Sequence, residues 1–124
     1  MATSLKKINA SFYRGPSGNE PVRDWLKALP AGDRRLIGND IATVEFGWPV
    51  GMPTCRPLGS GLWEVRSNIS AGRIARILFS MDGGHMFLLH GFIKKTQKTS
   101  SIDLALARQR QREIKRELES KHES

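Results

Sequence analysis

The stretch "RIARILFSMDGGHMFLLHGFIKK", residues 73–95, constrains the fold more than any other part of the chain. Two apolar runs flank "MDGG", and the paired glycines give the positive φ angles that a tight hairpin requires, so the runs are expected to be neighbouring antiparallel strands. The second run, "HMFLLHGFIKK", is apolar on both faces, as a strand in the middle of a sheet must be. Its alternation groups Met86, Leu88, His90, Phe92 and Lys94 on one face. The same period of two extends upstream into "LWEVRS". There Trp63 and Val65 alternate with Glu64 and Arg66, and the charged pair is expected to face away from the core.

The period changes earlier in the chain. "KKINASFYR" is a short strand-like run carrying Ile8, Phe12 and Tyr13, ended by the turn residues of "GPSGN". "NEPVRDWLKALP" places Val22, Trp25, Leu26 and Leu29 at helical spacing, and "DRRLIGNDIATVEFG" does the same for Ile37, Ile41 and Val44. Two helices in succession predict an αα-hairpin. "GWPVGMPTCRPLGSG", with four glycines and three prolines, is expected to be a loop. The tail has helical composition over about 101–120, opened by Ser100 and Asp103 as a capping box. The resulting fold class is α+β, in the order β-α-α-β-β-β-α. It comprises one antiparallel sheet with an N-terminal αα-hairpin and a C-terminal helix. A length of 124 residues suits one domain, 1–124, with one core.

Charge narrows the partner. Residues 51–100 hold seven Lys/Arg against two Asp/Glu, which is +5 of the chain's net +8. An excess so concentrated suggests an anionic partner such as nucleic acid or an acidic protein. The single cysteine, Cys55, excludes an intrachain disulfide and a thiolate metal site. No apolar segment follows the first lysines as in a secretory leader, and none approaches the length of a membrane span, so a cytoplasmic protein without membrane contact is expected. HExxH, GxSxG and P-loop patterns are absent, and no closely spaced His/Cys/Asp set suggests a metal, so no cofactor is expected. The two carboxylates within 51–100 also speak against a two-carboxylate acid–base mechanism.

The basic residues of the strands are the remaining candidates. Arg76 lies in the middle of an apolar run, where a charge is costly unless it is paired, reaches solvent or meets an anion. Arg66 and Arg73 could extend a patch around it, and guanidinium suits bidentate contact with phosphate. His90 is either a satisfied core residue or a proton carrier. Lys94, Lys95 and Lys98 are either a solvated strand end or the floor of a phosphate-binding groove.

These motifs together carry a resemblance. W-E-x-R at 63–66, R-I-x-R-I-L-F at 73–79 and H-G-F-x-K-K-T-x-K-T at 90–99, with "NEPVRDWLKALP" upstream, resemble the phage-derived HigB-like branch of the RelE/ParE toxin superfamily. The resemblance covers nearly the whole chain. It implies the toxin of a type II toxin–antitoxin module that cleaves mRNA in the ribosomal A site without a metal. A cognate helix-turn-helix antitoxin of HigA-like type would neutralise it. By motif position, Arg76 matches the functional arginine of the second of three consecutive strands, and Lys94 and Lys95 fall in the basic segment closing the last. RelE itself has a tyrosine after that strand, whereas the only tyrosine here is Tyr13. His90 is therefore a candidate from its own chemistry rather than by inheritance. The expected site has Arg76, His90 and Lys94 in catalysis and Arg66, Arg73, Lys95 and Lys98 on RNA. Two other readings fit the same scaffold: a ParE-like poison of DNA gyrase, and a non-catalytic module that binds RNA or an antitoxin.

Overall fold

The computed structural model describes residues 5–94 and 99–123, with backbone alone at Lys94, His122 and Glu123. In chain order the elements are β1 (Asn9–Phe12), α1 (Pro21–Lys27), α2 (Ala31–Gly47), β2 (Cys55–Gly59), β3 (Leu62–Asn68), β4 (Ile74–Asp82), β5 (His85–Lys94) and α3 (Ser101–Glu123). A 3-10 turn, Ser70–Gly72, joins β3 to β4. The five strands form one sheet in the order β1-β5-β4-β3-β2, so β5 is an interior strand, as its two apolar faces demand. Asp82 pairs with His85 across Gly83 and Gly84, whose φ angles of +55° and +82° confirm the hairpin.

The sheet departs from expectation in two places. It is mixed rather than antiparallel, because β1 runs parallel to β5, with Asn9 opposite His85 and Phe12 opposite Leu88. Parallel neighbours need a long connection between them, and everything from α1 to β4 supplies it. The second departure is β2, which lies within the stretch expected to be a loop. Proline is tolerated there because β2 is an edge strand. Arg66 donates its backbone N–H to the Thr54 carbonyl at 2.9 Å, so Thr54 and, by alternation, Arg56 face the ladder. Pro57 falls at the outward position, where an N–H would have had no strand to bond.

Both faces of the sheet are covered. On one face Val22 of α1 and Ile37, Ile41 and Val44 of α2 pack on Val65, Ala75, Ile77 and Phe79. On the other, Ala107 and Ile114 of α3 pack on Leu62, Leu78, Leu89 and Phe92. This second core overturns two expectations. Glu64 does not face away from the core; it is fully buried under the α3 side. Nor do Met86, Leu88, His90 and Phe92 share a face. The register passes from Leu78 opposite His90 to Phe79 opposite Leu88, so Leu89 is an extra residue in a β-bulge. The bulge reverses the alternation. Met86 and Leu88 join the core under the helical hairpin, while Phe92 joins the one under α3 and His90 meets that helix directly.

Candidate functional site

Antiparallel register brings the charged residues of the α3 face into two adjacent rows. Arg66 of β3 lies opposite Arg76 of β4, which lies opposite Phe92 of β5; Glu64, Leu78 and His90 form the neighbouring row. Two arginines directly opposite would repel each other. Glu64 offsets this, since its Oε1 lies 3.3 Å from Arg66 Nε and 3.3 Å from Arg76 Nη1. The Thr99 hydroxyl, just before α3, donates to Oε2 of the same carboxylate. Glu64 and Arg76 have 0% side-chain exposure and Arg66 has 17%, so Arg66 is the guanidinium that reaches the surface. Glu64 is the carboxylate shared by both guanidiniums, which ties their placement to it.

His90 sits on the next strand with a carboxylate of its own. Its Nε2 is 2.7 Å from Oδ1 of Asp103, in the first turn of α3. Asp103 is held in turn by Ser100: the Asp103 backbone N–H donates to Ser100 Oγ at 3.1 Å, and the Ser100 hydroxyl donates to Asp103 Oδ2. A carboxylate at a helix N-terminus is also favoured by the aligned peptide dipoles. The imidazole stacks on Phe92 with ring centroids 5.4 Å apart and planes 27° from parallel. Beside it a groove of about 230 Å³ runs between α1 and α3, lined by Trp25, Gly91, Leu106 and Arg110 among others. Trp25 lies so close to the strand that a Cβ on Gly91 would come within 2.5 Å of the indole. Only glycine leaves room for it.

The structure thus brings Arg66, Arg76 and His90 together on one face. Arg73 goes elsewhere. Its Nη2 pairs with Asp33 Oδ2 at 2.8 Å, and its Nε donates to the Ser70 carbonyl at 3.1 Å. Asp33 also accepts from the backbone N–H and hydroxyl of Ser70. The Ser70 N–H, ahead of the Ser70 hydroxyl and Arg73, holds the Asp33 carboxyl below its ordinary value against the opposing effect of burial. Arg73 therefore ties the β3–β4 turn to α2, the helix on the other face. Lys94 is the last residue of β5, opposite Ile74; Lys95 and Lys98 lie outside the described residues. Among the described residues no three His, Cys, Asp or Glu side chains gather as a metal ion would need.

Two participants were not singled out by sequence reasoning. Asp103 was legible only as a helix-start residue, and Thr99 not at all. The available signal was an aspartate in the capping box where the longer glutamate is usual, at the start of the element that follows His90.

The family model described as phage derived protein Gp49-like (DUF891) matches residues 24–112. The chain belongs to the Gp49-like family. Gp49-like proteins are RelE/HigB-type toxin-like proteins, associated with the toxins of toxin–antitoxin systems. The matched span runs from within α1 into α3 and includes Arg66, Arg76, His90 and Asp103. No curated protein matches the chain. No helix among the described residues is long and apolar enough to cross a membrane.

Proposed function

We propose that this Gp49-like protein is the toxin of a type II toxin–antitoxin module, a HigB-like endoribonuclease that cuts mRNA on the ribosome in the cytoplasm. It needs no metal or other cofactor, and a helix-turn-helix antitoxin of HigA-like type holds it in check. The observation that carries this reading is the row of Arg66 and Arg76, clamped by Glu64, beside the carboxylate-bound His90 on the strand whose sequence continues into the lysine-rich stretch 94–98.

RNA supplies its own nucleophile. The 2′-hydroxyl attacks the adjacent phosphorus, its proton passes to His90, and the P–O5′ bond breaks. The leaving 5′-oxygen takes a proton from an ammonium group of the 94–98 segment, with Lys94 the nearest along β5. The products are a 2′,3′-cyclic phosphate and a 5′-hydroxyl. Arg66, partly exposed, meets the phosphate oxygens and stabilises the extra negative charge of the phosphorane. Arg76 backs this from beneath by fixing Glu64, while Lys95 and Lys98 add attraction for the flanking phosphates. Arg73, tied to α2, contributes through the β3–β4 turn rather than at the phosphate. The ribosome positions the message, which makes up for modest acid–base groups.

The test is to induce the protein in cells, map mRNA 5′ ends, and repeat with Arg66→Ala, Arg76→Ala, His90→Ala and Lys94→Ala. New 5′-hydroxyl ends that vanish in the variants are expected. Growth arrest without new ends would favour the gyrase reading, and no arrest from the wild type would favour an inert binding module. Cleavage of free RNA as fast as of translated message would remove the ribosome from the mechanism.

A further inference from the structure

We propose that Asp103 is the positioning residue of a His90–Asp103 dyad, holding the imidazole in the Nε2–H tautomer so that Nδ1 takes the 2′-hydroxyl proton. The inference rests on the nuclease reading and assigns the tautomer and the residue that sets it.

A neutral imidazole carries one proton, and the hydrogen bond at one nitrogen decides which nitrogen remains basic. Here an acceptor-only carboxylate oxygen lies 2.7 Å from Nε2, so the proton resides on Nε2 and Nδ1 is the free base. Asp103 is itself immobilised through both its backbone N–H and its Oδ2 by Ser100. The ring is steadied from the other side by stacking on Phe92. His90 and Asp103 are 17% and 18% exposed, open enough for a substrate and closed enough for orientation to matter. A carboxylate that only capped the helix would need neither the second oxygen's contact nor this depth.

The charged groups around His90 come from every neighbouring element. Asp103 and Arg110 approach from α3, and Glu64 with Arg66 and Arg76 lie across the sheet. Lys94 follows on β5, and α1 presents Pro21, Val22 and Trp25, none of which titrates. Asp103 is the group that bonds the imidazole. As the 2′-oxygen yields its proton to Nδ1, the ring becomes an imidazolium, and the adjacent carboxylate stabilises that charge without taking the proton.

The test uses the full chain on programmed ribosomes, with nitrogen NMR of the free protein alongside. In the wild type the His90 nitrogens should show the Nε2–H tautomer when neutral. Asp103→Asn, whose amide can donate to Nε2, should shift the proton to Nδ1 and lower kcat by about 10²- to 10⁴-fold with KM little changed. In a His90→Ala background the same substitution should have almost no further effect. Leu118→Ala, near the other end of α3, serves as the control for a weakened helix; it should lower Tm and leave the pH profile of cleavage unaltered. A wild-type Nδ1–H tautomer, or equal fold losses for Asp103→Asn with and without His90, would overturn the dyad. A wild type that cuts no message overturns the nuclease reading, and the dyad's role with it. Full activity of Asp103→Asn overturns the dyad alone.

Discussion

Glu64→Ala is the substitution whose cost the structure defines best. Glu64 and Arg76 are both at 0% side-chain exposure, and one carboxylate oxygen lies 3.3 Å from each of two guanidiniums. At an effective dielectric of about 20, each contact has a gross attraction of roughly 5 kcal/mol. Most of that is offset by the desolvation of the charges. Removing the carboxylate restores none of the desolvation of Arg76, and leaves that cation buried beside Arg66. The expected net loss is about 3–5 kcal/mol, the usual cost of breaking a buried pair from one side. For a domain of this size it corresponds to roughly 10–20 °C in Tm. Arg66 contributes less to the penalty because it can turn into water. The double replacement Glu64→Leu with Arg76→Met removes both buried charges and should recover most of the loss. Urea unfolding of the two single variants and the double variant measures the coupling directly. A cost below about 1 kcal/mol for Glu64→Ala, or a double variant worse than the sum of the singles, would refute the argument that these charges are buried and mutually dependent.

Gly91→Ala should destabilise by about 1–3 kcal/mol, because its methyl meets the Trp25 indole at 2.5 Å, and a smaller residue at Trp25 should relieve part of it; equal stability in urea would contradict the close packing. Cys55 is fully buried, and burial pushes its thiol up to about 11, so a thiol reagent at pH 8 should modify it only at the rate the protein opens; rapid labelling of the native fold would count against this. The carboxyl of Asp33 lies below its ordinary value of 3.8, so its contribution to stability is fully present above about pH 4 and is lost as pH falls through the depressed value. Asp33→Asn should therefore flatten the acid limb of the stability curve below pH 4, and an unchanged slope between urea midpoints at pH 3 and pH 5 would disprove the linkage.

Local chemistry carried most of the fold. Gly83 and Gly84 fixed the central hairpin, and Val22, Ile37, Ile41 and Val44 marked the helical faces before any packing was visible. The failures came where a decision depended on something distant in sequence. Whether β1 runs parallel or antiparallel depends on residues 85–88, and nothing in "NASF" reports on them. Pro57 looked like a strand breaker because its outward position can be known only from the register of its partner. Strict alternation then failed at Leu89, since a bulge of one residue leaves no compositional mark in an apolar run. In the candidate site Arg66 and Arg76 were legible, as a charge in an apolar strand stands out, whereas Arg73 is tied to α2 by Asp33. The site's anions were harder to read. Glu64 was expected to face away from the core, and Asp103 looked complete as a helix cap.

The pairing of β1 with β5 also has a consequence in time. Asn9 finds its partner, His85, 76 residues later in the chain. At ordinary synthesis speeds of roughly 5–20 residues per second, the first strand waits on the order of 4–15 s before the second half of its ladder exists. Asp103 and Thr99 follow later still, so the groups that contact His90 and Glu64 from the start of α3 are made after every strand of the sheet. A protein assembled in this order completes its sheet before it completes its site.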